Sequence, residues 1–243
     1  MRSVVFILFI AIYFIAPNIS GHTDASSTSI DTIYQKTKYF EYQVNFADSL
    51  YKNYLPQYNF DEVKAAMDFF ESEVKNDGLR INGKRAKNNQ SIVYNCARAN
   101  YYHAVGLTEQ DDIAGACEHY LRALELMKEE IDIIEKQTQN LSRLGSSDYE
   151  KIRFIILIYT RIGNLFYNEN YCDLAIVKYN KALIYSELIK DTFAQSHIFK
   201  VLGNTYHILG KNRGDFFYYA ERCLSLIKNH LRITLENFVY IYE

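Results

Sequence analysis

Apolar residues recur along most of the chain at steps of three and four, the spacing that places them on one face of an α-helix. This period is present over residues 31–54 and 61–74, and it returns at about residue 91. In the second of these stretches it is carried by Val63, Ala66, Met67 and Phe70. The pattern predicts an all-α fold.

A set of small and aromatic residues recurs within this pattern at fixed steps of 12, 4 and 3 residues. The first two copies of the set are Ala104, Ala116, Tyr120 and Ala123, then Gly163, Ala175, Tyr179 and Ala182. A third copy begins at Gly203 and ends at Cys223 after one inserted residue. Because a small side chain lets two helices cross closely, the spacing predicts a repeated pair of packed helices.

This spacing resembles the tetratricopeptide repeat (TPR), a helix pair with the pattern W-x-x-L-G-x-x-Y followed by A-x-x-x-F. The resemblance covers about residues 96–228, and it implies a right-handed superhelical solenoid of antiparallel helix pairs. The sequence departs from the family in its period, which is 40 residues from Gly163 to Gly203 and about 34 in the family. We therefore expect the helices to be longer than in the standard repeat.

The N-terminal residues have the pattern of an export signal. Arg2 precedes thirteen apolar residues, Val4 to Ala16, whereas a transmembrane helix needs roughly 20. We interpret residues 1–21 as a signal peptide and 22–30 as a flexible linker, and we expect no membrane span to remain after cleavage. The mature chain is then exported to the periplasm or secreted, with an uncleaved membrane tether as the alternative.

The rest of the chain divides into two parts. Residues 31–90 are interpreted as a degenerate first helix pair followed by a basic link, and residues 91–243 as the TPR-like solenoid. Counting one period of 40 residues from Gly203 reaches Glu243, which predicts an incomplete terminal repeat.

One helix of the solenoid is predicted to be unusually long. A near-heptad stripe that includes Met127 and Ile134 predicts a helical extension near 125–146. Gly145 is interpreted as the C-cap of this extension. Ser147 and Glu150, three residues apart, are interpreted as a capping box that begins the next helix.

The composition agrees with long helices and excludes generic nucleic-acid binding. The chain has only two prolines and ten glycines, so helix breakers are few. Its formal net charge of −2 lacks the basic bias that nucleic-acid binding needs. We therefore interpret the basic residues of the link as a solvated loop: Arg80, Lys84, Arg85 and Lys87. The four cysteines form no C-x-x-C pair, and we expect them to act as small buried hydrophobic residues.

Residues with catalytic or metal-binding chemistry are few. His103 on one predicted helix could face Glu118 and His119 on the next, but they lack the H-E-x-x-H spacing that places two imidazoles on one helical face. A metal-binding or enzymatic site near His103 and His119 is therefore the alternative. The main expectation is a protein that is not an enzyme and that carries no metal and no cofactor.

The resemblance to TPR proteins implies that the first helix of each pair lines a concave groove. The groove positions that it implies are Arg98, Tyr101, Thr160, Arg161, Asn164, Tyr167, Lys200, Asn204 and His207. Asparagine amides suit a peptide backbone because they offer both a donor and an acceptor. The cations among these residues could hold a carboxylate.

We therefore expect an exported, non-catalytic scaffold that binds a protein or peptide in this groove. The chain also resembles the extracytoplasmic TPR regions of bacterial sensor-regulators, which implies a sensor-like or adaptor-like fragment. A structural alternative is a homodimer. It would form through the long helix or through a C-terminal helix that carries Phe238, Tyr240 and Tyr242.

Overall fold

The computed structural model describes residues 35–45, 47, 59–76, 87–137, 145–210 and 213–242. The predicted signal peptide, the flexible linker and residues 77–86 of the basic link lie outside these ranges. Within them the chain forms helices and turns and no strand. This confirms the predicted all-α fold.

The described residues form nine helices. Helix α1 comprises residues 35–45. The others are α2 (Phe60–Asn76), α3 (Lys87–Glu109), α4 (Ile113–Leu126), α5 (Lys128–Gln137), α6 (Ser146–Asn168), α7 (Cys172–Leu188), α8 (Thr192–Leu209) and α9 (Arg213–Tyr242). The chain divides into two units, residues 1–39 and Phe40–Glu243. In the first unit, the described residues 35–39 are helical.

In the second unit, helices that are neighbours in sequence pack in pairs. The most extensive contacts join α3 to α4, α6 to α7, and α8 to α9. These three pairs contain the three copies of the small-residue set. Further contacts join α2 to α3 and α7 to α8, and α6 contacts both α4 and α8. The pairs therefore share a continuous core.

Three turns, those from α3 to α4, α6 to α7 and α7 to α8, use one local motif. Asp111, Asn170 and Lys190 have φ values of 64°, 63° and 55°, in the left-handed region. The residue after each of them donates its N–H to the carbonyl oxygen five residues earlier, at 2.7–2.9 Å. This bond is the one that closes a Schellman C-cap. Its use at three turns gives successive helices similar connections.

The small residues of the repeat lie inside the protein. No surface is exposed on Ala104, Ala116, Ala123, Ala175 and Ala182. The two repeat glycines, Gly163 and Gly203, are buried as well, and Tyr120 and Tyr179 are each 1% exposed. Cys223 is half-buried, and its thiol donates to the Ser196 carbonyl oxygen at 3.3 Å. The small side chains of these alanines and glycines allow the helices to pack closely.

The predicted long extension is divided at Met127. Helix α4 ends at Leu126, and Met127, which has a ψ of 0°, separates it from α5, which begins at Lys128. The Ile131 amide still donates to the Met127 carbonyl oxygen at 2.9 Å. The interruption therefore retains this backbone hydrogen bond, and both Met127 and Ile134 are buried.

The sequence interpretation of Gly145 was wrong. Gly145 is the N-cap of α6, and its φ of −82° and ψ of 169° are extended, unlike the left-handed conformation of a glycine C-cap. Its amide donates to Asp148 Oδ2 at 2.9 Å. The capping side chain is therefore that of Asp148, rather than the predicted pair of Ser147 and Glu150.

The last helix, α9, continues without a break from Arg213 to Tyr242. Helix α9 packs on α8. The residues that were predicted to form an incomplete terminal repeat therefore extend the second helix of the third pair.

A polar cluster joins α2 to α3 and α4. Glu71 accepts two hydrogen bonds of 2.8 Å from Arg122, one from Nε and one from Nη2. It accepts a third from Asn100 Nδ2 at 3.1 Å, and Asn100 Oδ1 lies 2.9 Å from His119 Nδ1. The Arg122 guanidinium holds the pKa of Glu71 below its usual value. Glu71 is thus ionised and paired where the helices meet.

Candidate functional site

A cleft of about 250 Å³ lies beside α3, α6 and α8, the first helices of the three pairs. Side chains of all three helices line it, together with one tyrosine from α4 and one from α7. The lining residues are Thr108, Tyr120, Arg161, Asn164, Leu165, Tyr167, Asn168, Tyr179, Val201 and Asn204. Apolar and aromatic side chains make up half of this lining, and polar or charged side chains make up the other half; polar groups in such a cleft can orient a ligand.

Four of the nine predicted groove residues line this cleft. Arg161, Asn164 and Tyr167 come from α6, and Asn204 comes from α8. The three residues of α6 follow one another at steps of three, so they lie along one face of the helix. Asn164 and Asn204 occupy equivalent positions, each directly after the glycine of its repeat.

Two predicted groove residues of α3 lie elsewhere. Tyr101 has no exposed surface, and its ring packs on that of Phe154 from α6 with centroids 5.4 Å apart. Arg98 Nη1 donates to Asn45 Oδ1 of α1 at 2.8 Å. Tyr101 is therefore a core residue, and Arg98 links two helices; neither lines the cleft.

The remaining predicted groove residues are also outside the cleft lining. Thr160 is 8% exposed, and its hydroxyl donates to the Ile156 carbonyl oxygen at 2.8 Å. Lys200 and His207 are exposed, and the His207 ring lies 5.3 Å from that of Phe216. Of the three cations predicted to hold a carboxylate, Arg161 lines the cleft, whereas Arg98 and Lys200 do not.

One hydrogen bond connects a cleft amide to the core. The Tyr179 hydroxyl donates to Asn164 Oδ1 at 2.7 Å. Tyr179 comes from the second helix of the pair and Asn164 from the first, so the bond crosses the α6–α7 interface. It fixes the position of the Asn164 side chain at the wall of the cleft.

Arg161 is the charged residue among those that line the cleft. Burial lowers the pKa of Arg161, but a guanidinium stays charged in proteins. No Asp or Glu is among the residues that line the cleft. These lining residues therefore favour a ligand group that accepts hydrogen bonds or carries negative charge.

Sequence reasoning missed several lining residues, and two of them had a usable signal. Thr108 stands four residues after Ala104, the same offset as Tyr167 after Gly163. Asn168 stands four residues after Asn164 and so lies on the same helical face. The repeat register could therefore have identified Thr108, and the helical face of Asn164 could have identified Asn168.

The predicted histidine pair, His103 and His119, is not among the residues that line the cleft. The rings of His103 and His119 are 4.6 Å apart, and Phe60 stacks on His103 at 4.7 Å. Burial lowers the pKa of both histidines, while Glu118 is exposed. Among the described residues, no three His, Cys, Asp or Glu side chains are grouped to hold a metal ion. The metal-binding alternative stays a prediction that a zinc titration can test.

The cysteines are placed within described helices and form no disulfide. Cys96 and Cys172 are buried, and Cys117 and Cys223 are half-buried. Burial, the largest cause, raises the pKa of the Cys96 thiol. A buried protonated thiol is a poor nucleophile.

The outer surface of α9 carries exposed apolar side chains. They are Phe217, Tyr218, Leu224 and Ile227. The homodimer that the sequence leaves as an alternative stays a prediction, and the side chains of Phe238, Tyr240 and Tyr242 lie outside the described ones.

Neither α9 nor any other described helix combines the length and apolarity needed to cross a membrane.

No known protein family matches the chain, and no curated protein matches it. The functional proposal is therefore based on the chemistry and position of the cleft.

Proposed function

We propose that the chain is a non-catalytic scaffold that binds a protein or peptide segment in the cleft. The main observation that supports this proposal is that the first helix of each of the three pairs contributes residues to the cleft lining. An extended segment lying along the cleft would contact each pair in turn. Helical-repeat proteins bind extended partners on surfaces of this kind.

The lining chemistry supports a peptide ligand. Asn168 and Asn204 offer amides, which match the alternating donors and acceptors of a peptide backbone. Asn164, whose Oδ1 accepts from Tyr179, offers the donors of its Nδ2. Leu165 and Val201 supply apolar surface for side chains of the ligand. Arg161 adds one positive charge. These groups can orient a ligand, which is the task of a binding site.

The proposal includes a TPR-like superhelix in an exported chain. The superhelix is supported by three successive helix pairs, by the shared turn motif and by the recurrence of small residues at one register. Export is supported by the short apolar run of residues 4–16 after a basic residue. A binding scaffold outside the cytoplasm is consistent with a sensor-like or adaptor-like role.

Affinity capture from an envelope fraction tests this function. The exported chain serves as bait, in its natural form and as the double variant Asn164→Ala with Asn204→Ala. We expect the double variant to lose a partner that the natural chain captures. The matched control is Lys181→Ala on the exposed surface of α7, which should keep that partner. Equal capture by the natural chain and the double variant, with unchanged helical circular dichroism, would contradict the proposal.

A further inference from the structure

Helix α9 has two apolar faces, and α8 covers one of them. The Tyr219 ring stacks on that of Tyr206 of α8 with centroids 5.4 Å apart. The Cys223 thiol donates to the Ser196 carbonyl oxygen of α8 at 3.3 Å. Tyr219 and Cys223 therefore belong to the covered face.

The second face of α9 is exposed to solvent. Phe217, Leu224 and Ile227 are 61%, 55% and 44% exposed, and Ala220 is half-buried. These four residues follow one another at steps of three, four and three, which are the steps between a and d positions of a heptad repeat. The helix continues to Tyr242. The sequence continues the same steps with Leu231, Thr234, Phe238 and Ile241. Such a seam is the surface through which two helices form a coiled coil.

The preceding helix pair shows what covers this face. Leu224 and Ile227 stand 41 residues after Leu183 and Ser186 of α7, one repeat period plus the inserted residue. Helix α8 packs on α7, and Gln195 Nε2 of α8 donates to the Ser186 carbonyl oxygen at 3.1 Å. Leu183 is half-buried, and Ser186 is fully buried. In α7 this face is therefore covered by a helix, which indicates that a helix also fits the exposed face of α9.

Two charged residues beside the seam determine how a second α9 helix would fit. Glu221 and Lys228 are exposed and occupy e positions, on the side of the seam away from α8. In a parallel pair of helices, e positions face g positions of the partner. The g positions here are Phe216 and Cys223, which pack on α8 and offer no ion pair. The parallel arrangement therefore leaves both charges without a partner across the seam.

An antiparallel arrangement pairs these charges. In an antiparallel pair the e positions of the two helices face each other. The register that sets Leu224 opposite Ile227 of the second copy also sets Glu221 beside Lys228 of the second copy. Two-fold symmetry makes each of these contacts occur twice. The face is thus complementary to itself in both shape and charge.

We propose that α9 forms an antiparallel coiled coil with α9 of a second copy of this chain. The described part of its seam consists of Phe217, Ala220, Leu224 and Ile227. None of these residues lines the cleft, so the dimer does not depend on the proposed function of the cleft. Each dimer would contain two copies of the cleft.

Sedimentation velocity of the exported chain over a dilution series tests this association. We expect twice the monomer mass at high concentration. Leu224→Asp should raise the dimer dissociation constant more than about tenfold, because each copy then places an unpaired carboxylate in the apolar seam. The matched control is Ile184→Asp on α7, where the side chain is 58% exposed; it should associate like the natural chain. A monomer mass at every concentration, or equal effects of the two substitutions, would overturn the proposal.

Reversing the charges tests the orientation. Glu221→Lys alone places lysines of the two copies beside each other, and Lys228→Glu alone does the same with glutamates. We expect each single variant to raise the dissociation constant about fivefold, since two exposed ion pairs are replaced by repulsion. The double variant restores opposite charges and should associate like the natural chain. Single variants without effect, or a double variant no stronger than either single one, would overturn the antiparallel arrangement. Helical circular dichroism confirms that each variant is folded.

Discussion

The Tyr179 ring occupies the space beside Gly163. A β-carbon built on Gly163 would lie 2.5 Å from Tyr179 Cε1 and 2.7 Å from Cδ1, well inside van der Waals contact. Helices α6 and α7 thus meet through a glycine and an aromatic ring. The same approach brings the Tyr179 hydroxyl to Asn164, so a steric requirement of the repeat also arranges an amide of the cleft.

Gly163→Ala should destabilise the protein by roughly 1–3 kcal/mol because the new methyl group overpacks against the Tyr179 ring. Alanine is otherwise favoured over glycine in a helix by about 1 kcal/mol, so the sign of the change is informative. Urea denaturation measures it. Gly203→Ala is the control, since a β-carbon there meets its nearest atom at 3.7 Å; we expect unchanged or slightly higher stability. A stabilised Gly163→Ala variant would contradict the helix crossing.

Glu71→Gln should cost roughly 1–3 kcal/mol, since it removes the charge that pairs with Arg122 in two hydrogen bonds between helices. Arg122 has a second partner, Glu125, whose side chain is 67% exposed. Because exposed ion pairs contribute little, Glu125→Gln should cost less than about 0.5 kcal/mol. The free energies of unfolding of the two variants test whether Glu71→Gln costs more than Glu125→Gln. Equal losses would show that the Glu71 pair contributes no more than a surface pair.

The stability of the protein should decrease as the pH falls below about 6.5. Burial is the main reason that the pKa of His103 is lowered to about 4; His119 and Lys64 act in the same direction, and Asp68 opposes them. His103 Nδ1 is buried and has no hydrogen-bond partner among the described residues. Since the unfolded chain takes up this proton near pH 6.5 and the folded chain only near pH 4, protons favour unfolding in that interval, by up to about 3 kcal/mol.

Urea midpoints measured between about pH 7 and pH 4.5 check this linkage in the natural chain and in His103→Phe. The phenylalanine ring retains the contact with Phe60 but cannot take up a proton. We expect the variant to lose stability less steeply as the pH falls. Parallel profiles would show that His103 does not contribute to the acid sensitivity.

The sequence predicted the helices because their period is local, and it placed Asn164 and Asn204 at the cleft because both directly follow a repeat glycine. The same reasoning placed Tyr101 in the groove, whereas the structure buries it in the core. Tyr101 and Lys200 stand three residues before their small residue, yet Tyr101 has no exposed surface and Lys200 is exposed. The difference arises because Phe154 of α6 covers Tyr101, and such a contact between distant residues has no local signature.

Two further features depend on geometry that residue types alone do not specify. Glycine at position 145 fitted a C-cap, but glycine also adopts the extended conformation that the N-cap of α6 requires. The bond from Tyr179 to Asn164 depends on how closely α6 approaches α7 and on the direction of two side chains. The repeat register places these two residues on paired helices without showing that they touch.

Site-specific photo-cross-linking in intact cells tests most directly whether the cleft is the binding surface. A photoreactive amino acid replaces Asn168, which is exposed and lines the cleft, or Lys181, which is exposed on α7. The proposed function predicts a discrete adduct with a partner from position 168 and none from position 181. An adduct from position 181 alone, or equal adducts from both positions, would contradict it.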